Sequence, residues 1–344
     1  MKRISLLFLI AFSLIAAEAE AARYYYFEHL KATDGLPSNT IYCSIQDKDG
    51  FMWIGTRDGL CRYDGRSFVR IDEIIPKLSM SGMVMNVAED VLGRIWFSTS
   101  NGIYSYNPST SESGELGIPE KSGCMDIHAD KRGNVWFACS NSLYRHDTAN
   151  SGIHSYSIGN SRPVMITSDS LGMIWVLTER GDLYIYDRLK DTFKPLDLGK
   201  KVKMIEGVEE GRILMATYDD DVILTDCLTL KYSTIFRGNG EKTINCIKEA
   251  SRGEFWIGTD TGLYIRRDGK DYSGKAVHDK GTLGSLSADY ITCIDKDRAG
   301  NLWIGTYYTG INIWKDRGEE MNIYFPNPSD NSSQGKIVRS IVSD

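Results

Sequence analysis

Proline is scarce in this chain, 8 residues in 344, and histidine is scarcer, with 5. The histidines (His29, His128, His146, His154 and His278) form no ligand cluster with each other or with cysteine, which argues against a zinc site. A basic excess is also missing. Lys and Arg total 40 against 46 for Asp and Glu, a net charge of −6, so the chain lacks the cationic face that sequence-independent nucleic-acid binding requires. No catalytic signature occurs: there is no G-x-S-x-G, H-E-x-x-H, phosphate-binding loop or G-x-G-x-x-G. Acidic residues are too numerous for counting alone to exclude a glycosidase pair. A long apolar run occurs only at the N-terminus, from Ile4 to Ala17. It is preceded by Lys2 and Arg3 and followed by Ala17-Glu18-Ala19 and Ala19-Glu20-Ala21, two small-x-small cleavage patterns. Residues 1–21 are therefore expected to be a secretory signal, with no later segment able to span a bilayer as a helix.

The seven cysteines, Cys43, Cys61, Cys124, Cys139, Cys227, Cys246 and Cys293, show no C-x-x-C and no paired spacing. A chain of this size needs no disulfide staples, so they are expected to be small buried apolar residues.

Glycine and aromatics are abundant: 33 Gly, 19 Tyr and 7 Trp. Much Gly with little Pro points to tight hairpins. The aromatics are also ordered. Phe51-Met52-Trp53-Ile54-Gly55-Thr56 recurs around Trp96, Trp136, Trp175, Trp256 and Trp303, with a weaker copy around Leu214. The central residues fall 39 to 47 positions apart. Three residues before each stands glycine: Gly50, Gly93, Gly133, Gly172, Gly211, Gly253 and Gly300. Three residues earlier stands aspartate in five copies, Asp47, Asp90, Asp130, Asp169 and Asp297, with Val208 and Ala250 in the other two. Asp accepts from turn amides and Gly supplies positive φ, so each Asp-x-x-Gly is a hairpin turn.

A β-rich stretch precedes each turn, and two more follow the Trp strand. Four short strands every ~40 residues is the β-propeller blade. The expected fold is all-β, a seven-bladed propeller of four-stranded antiparallel blades over residues 22–320, with the fifth blade least regular. Tyr24–Phe27 lacks a blade of its own and is placed to complete the outer edge of the seventh. Residues 321–344 read as the start of a further, truncated repeat, because Val338, Ile341 and Asp344 repeat the spacing of Val84, Val87 and Asp90.

The WD and kelch signatures are missing. Asp34-Gly35-Leu36-Pro37-Ser38-Asn39-Thr40-Ile41, Gln46-Asp47 to Thr56, and Gly59-Leu60-Cys61-Arg62-Tyr63-Asp64 together resemble the two-component regulator propeller repeat. The resemblance runs from about residue 23 to the end. It implies the periplasmic sensor region of a hybrid two-component system that recognises oligosaccharides and switches on glycan-utilisation genes. It further implies an inner-membrane anchor, more sensor domains, a homodimeric full-length receptor and histidine kinase activity, all outside this sequence. The alternative is a secreted propeller enzyme, a polysaccharide lyase or glycoside hydrolase.

Propeller sites sit in loops at the channel mouth. The loops after the Trp strands vary most. Aromatic faces and charged forks suit sugars, which selects Tyr307, Tyr308, Tyr218, Arg57 and Arg180 as ligand-binding residues. The Tyr307-Tyr308 loop leads because it is one residue longer. Asp219-Asp220-Asp221 reads as a solvated acidic turn. No catalytic residue, metal or cofactor is assigned, and no direct nucleic-acid contact is expected.

Overall fold

The structure is a computed structural model that describes residues 25–75, 82–99, 102–118, 124–238, 240, 243–267 and 274–315. The expected signal segment 1–21 and the expected further repeat at 321–344 lie outside the described residues.

Seven four-stranded antiparallel sheets are present. Six are built from consecutive strands and occupy residues 41–70, 86–115, 124–157, 163–196, 202–236, 244–276. We number these blades 1 to 6. Blade 7 takes three strands from residues 291–314 and its outer strand from Phe27–Leu30. The first strand of each blade is innermost, and first strands of neighbouring blades touch all round the ring. Helix is confined, among the described residues, to single turns at Ala32–Asp34 and Ile71–Ile74.

Every second strand is buried on both faces, as packing between two neighbouring blades requires. All seven turn glycines have φ between +66° and +95°, so they supply the left-handed backbone that the hairpins need. The turn aspartates do more than cap. Asp47 Oδ1 accepts the amides of Asp49 and Phe51, while Oδ2 accepts Trp53 Nε1 at 2.7 Å. The same indole bond joins Trp96 to Asp90, Trp136 to Asp130, Trp175 to Asp169 and Trp303 to Asp297, at 2.8 to 3.1 Å. In blade 6, where Ala250 takes the Asp place, Trp256 turns to Glu254 at 2.9 Å. In blade 5 donor and acceptor are lost together, and the apolar pair Val208 and Leu214 is buried instead. That joint exchange leaves no polar atom stranded. Blade 5 keeps full-length strands of seven, six, five and five residues, with register shifts at Val202/Met204 and, in its outer pair, at Val222/Ile223, which bears on the expectation that it would be the least regular.

The small residue two places after Trp has two neighbours to admit. A Cβ on Gly305 would stand 2.5 Å from Cys293 Sγ of its own blade and 2.9 Å from Ile41 of the next. Gly55 and Gly258 face the same pair of obstacles, Cys43 with Val84 and Cys246 with Ile291.

The ring closes as an outer-strand splice, three residues later than the expected Tyr24–Phe27. Phe27 pairs with Trp314 and Leu30 with Ile311. Tyr25 instead sets its ring edge-on to Trp256, 5.6 Å between centroids, and so packs against blade 6.

The cysteine expectation holds only in part. Cys124 and Cys139 form a disulfide between the first and second strands of blade 3, where they are direct register partners. The corresponding pairs elsewhere are Ile41 with Thr56 and Ile291 with Thr306, so both members changed together. Cys43, Cys61, Cys227, Cys246 and Cys293 are free. Burial pushes the Cys61 thiol up to about 12 and those of Cys43, Cys246 and Cys293 up as well, which suits a packing role.

Candidate functional site

Antiparallel pairing sends the loops after the Trp strands to one mouth of the channel and the Asp-x-x-Gly turns to the other. The structure divides the five expected binding residues between two arcs of the loop mouth.

Tyr307, Tyr308 and Arg57 belong to one arc, where blade 7 meets blade 1. The Tyr307 ring lies 5.4 Å from Tyr290 and 4.6 Å, edge-on, from Tyr308. All three are exposed, by 37% for Tyr307, 42% for Tyr290 and 69% for Tyr308. Large aromatics left to solvent on a polar loop are positioned surface for a ligand. The backbone beneath is fastened. Tyr307 N donates to Tyr290 O at 3.2 Å, and Thr40 Oγ1 of the blade 7 to blade 1 connection donates to Tyr307 O at 2.6 Å. Thr309 N donates to Thr306 Oγ1, and the Thr309 hydroxyl meets Thr306 and Ser287 at 2.9 and 2.7 Å. Gly310, at φ +85°, passes so close to Leu30 that no Cβ could fit. The extra residue in this loop is thus held in one conformation, and its tyrosines are carried on a rigid base.

Arg57 N is tied to Thr40 O at 3.0 Å, and its side chain is exposed. Tyr42, on the innermost strand of blade 1, lies within the field of this group. Burial raises its hydroxyl pKa, Tyr307 raises it further and Arg57 opposes both. Tyr42 and Tyr290 therefore extend the patch, and neither was expected. Their signal lay in position: Tyr42 is the second residue of a first strand and Tyr290 immediately precedes one.

Tyr218 and Arg180 lie on the other arc, in blades 5 and 4. Tyr218 Oη donates to Glu179 O at 2.9 Å, Arg180 N to Ser161 Oγ at 3.3 Å, and Glu179 pairs with Arg162 at 2.8 Å. The Tyr218 ring is so near Gly181 that a Cβ there would meet it at 2.9 Å. This pair is a seam between two blades, separated from the seam of blades 7 and 1 by blade 6 on one side and by blades 2 and 3 on the other. The five residues do not form one site.

The channel wall carries a polar belt that has no repeat signature. Ser44 N and Oγ donate to Asp295 Oδ2 at 3.1 and 2.9 Å, and Lys248 pairs with Glu206 at 2.5 Å with Asp295 at 4.0 Å. His128 meets Ser168 at 2.9 Å, and Asp126 Oδ2 accepts the Ile166 amide at 2.7 Å. Burial pushes Asp126 up to about 7 and His128 down to about 4. Burial also raises Asp295 against the pull of Lys248. For Lys248 itself burial acts downward and is outweighed by Glu206 and Asp295, so its pKa rises. At the turn mouth the belt opens into a cavity of about 280 Å³ beside Lys131, Glu206, Lys248, Arg252 and Lys296. Most of these charges are consumed within the protein: Lys248 by Glu206, Arg252 by Glu210, Lys296 by Ala250 O. The belt stitches neighbouring blades together. Among the described residues no group of three or more His, Cys, Asp or Glu is placed to hold a metal, and Asp220 of the acidic turn pairs with Lys203.

Comparison with known proteins follows the same lines. The sequence model of the two component regulator propeller matches residues 35–58 and 285–308. Those two segments, one running into blade 1 and one into blade 7, are similar to the two-component regulator propeller repeat. The two matched segments end on the loops that carry Arg57 and Tyr307-Tyr308. Over 69 residues the chain is 36% identical to Histidine kinase P4 of Formosa agariphila, covering 20% of this chain and 5% of that protein. The ring superposes on the extracellular domain of a proposed one component system from B. thetaiotaomicron with TM-score 0.72 at 20% identity. It also superposes on that of a proposed hybrid two component system from the same organism, with TM-score 0.70 at 22% identity. These cover 84% and 85% of this chain but 40% and 42% of the others. The propeller chain thus spans less than half of the structures it resembles and one-twentieth of the kinase.

Proposed function

We propose that this ring is the ligand-sensing part of a longer hybrid two-component receptor, that it works in the periplasm after removal of residues 1–21, and that its ligand is an oligosaccharide. The observation that carries the reading is the Tyr42, Arg57, Tyr290, Tyr307 and Tyr308 patch, on the loop mouth between blades 7 and 1. Tyrosine faces take up the C–H faces of pyranose rings, and an arginine fork serves paired hydroxyls or a carboxylate. The third strand of blade 7 runs from this mouth toward the turn side, ending at Trp314 beside Phe27. Ligand is thereby sensed on the face opposite the one where chain leaves the ring. Further sensor domains and a homodimeric receptor that controls glycan-utilisation genes complete the proposal.

Titration calorimetry of the chain against a panel of plant and host oligosaccharides, with product analysis of the same mixtures, tests it. Binding without release of new reducing or unsaturated ends is expected. Joint Tyr307→Ala and Tyr308→Ala exchange should weaken it by about tenfold or more, equal to about 1.4 kcal/mol, with the melting temperature unchanged. Product formation would favour the secreted lyase or hydrolase, and undiminished binding in the double variant would remove the site.

A further inference from the structure

A groove of about 340 Å³ lies at the outer edge of blade 7, between the closing strand Phe27–Leu30 and the 278–287 connection. Basic side chains from two segments some 250 residues apart line it: His29 and Lys31 from one, His278 and Lys280 from the other. The connection is firmly built. Asp279 Oδ1 accepts the Gly281 amide at 2.9 Å, Oδ2 accepts the Thr282 hydroxyl, and Asp279 N donates to Ser285 Oγ at 3.1 Å. Phe27 N donates to Gly284 O at 2.8 Å, which straps the loop to the closing strand. These bonds occupy both oxygens of Asp279, the acid within the groove lining. Hydrogen bonding, from Thr282 above all, keeps its pKa below the usual carboxylate value.

The four basic groups are not neutralised in this way. Lys31 and Lys280 make no ion pair with a described residue and both are exposed. Each histidine commits one ring nitrogen to a carbonyl: His29 Nε2 to Ser285 O at 2.9 Å, His278 Nδ1 to Leu286 O at 2.7 Å. A carbonyl oxygen only accepts, so those nitrogens carry the protons. His29 Nδ1, on the opposite side of its ring, is then a lone-pair acceptor without a described protein partner. Burial holds His29 below the usual imidazole range, with Lys31 and His278 acting in the same direction, which keeps its ring neutral near pH 7.

The groove thus offers two ammonium donors and the His29 imidazole acceptor to a small occupant. An anion satisfies the lysines, and an anion that also carries a proton satisfies the imidazole. We propose that this groove binds hydrogen phosphate, with the lysines on its charged oxygens and an imidazole lone pair accepting its P–O–H. Sulfate has the same shape and charge but no proton at neutral pH, so it would leave the His29 acceptor facing its oxygens. The site is separate from the tyrosine patch, and its occupation would brace the strand that closes the ring.

Calorimetric titration of the full chain with inorganic phosphate at about pH 7.5 and constant ionic strength tests the proposal, with sulfate and a hexose phosphate monoester as comparison arms. Saturable phosphate binding is expected, with sulfate and the unprotonated monoester weaker by about tenfold or more. Lys280→Gln and Lys31→Gln should each weaken phosphate by a similar factor. Lys280 stands on an exposed loop and makes no ion pair with a described residue, so its variant retains the fold and decides the matter if Lys31→Gln does not. Equal affinity for sulfate, undiminished phosphate binding in Lys280→Gln, or no saturation would each overturn the proposal. None of these outcomes bears on the oligosaccharide reading, which rests on different residues.

Discussion

Asp47→Ala isolates the bond that couples each turn to its blade core. Asp47 is 2% exposed and Trp53 is wholly buried. The substitution removes the acceptor of Trp53 Nε1 at 2.7 Å and of two turn amides at 2.9 and 3.0 Å. The amides lie at a turn and recover solvent, whereas the indole N–H does not. A hydrogen bond to a charged acceptor contributes about 1.5–3 kcal/mol, and an abandoned buried donor costs about 1–3 kcal/mol. These describe overlapping parts of one loss, so about 3 kcal/mol is expected in total. With ~2.1 cal/mol/K per residue over the ring from 25 to 315, that lowers Tm by about 5 °C. Trp53→Phe deletes the donor while keeping an aromatic. In that background Asp47→Ala should cost about 1.5–2 kcal/mol less, read in a double-mutant cycle by denaturant unfolding. A single-variant loss below about 1 kcal/mol, or strict additivity in the cycle, would refute the coupling. Blade 5 already exhibits the coupled exchange in Val208 and Leu214.

Other outcomes follow from the same packing. Gly305→Ala should cost about 1–3 kcal/mol, since its Cβ would meet Cys293 Sγ at 2.5 Å, and Cys293→Ala should restore part of the loss in thermal melts. Reducing Cys124–Cys139, which spans 15 residues, should cost about 3 kcal/mol by chain entropy, and a Tm unchanged by reductant would contradict this. Asp126, raised by burial from 3.8 to about 7, adds stability that is complete below pH ~4 and is lost as pH rises through about 7. Stability curves for Asp126→Asn should therefore gain on the native protein between those limits. His128, lowered from 6.5 to about 4, works in the opposite direction: its contribution is complete above pH ~6.5 and fades as pH falls toward 4. His128→Gln should lack that acid loss, and a parallel pH profile in either variant would count against the burial argument.

The blade count was readable because each repeat must solve the same two problems, reversing a chain and filling an inter-blade gap, with Gly and Trp at constant spacing. The aspartate was only half readable. Its turn role is local, but its bond to an indole six residues on depends on the hairpin having folded. Tyr24–Phe27 misplaced the closing strand by three residues because a run of aromatics reads as strand, whereas Tyr25 uses its ring against Trp256. Cys124 and Cys139 carry no spacing signal, and only register makes them opposite one another. The binding patch was the least readable. Tyr307 and Arg57 lie 250 positions apart and meet only because blade 7 closes against blade 1, which equally separates both from Tyr218 and Arg180. Tyr42 and Tyr290 enter through strand phase, invisible until that seam exists.

Amide hydrogen exchange of the chain, with and without the tightest-binding oligosaccharide, tests most directly that ligand is read at the seam between blades 7 and 1. Slowed exchange is predicted around residues 40–42, 57–58, 290 and 307–309, with the loops at 179–181 and 218–221 and the Asp-x-x-Gly turns unaffected. Protection confined to those other loops, or to the turn mouth beside Lys131, Lys248 and Lys296, would contradict the account.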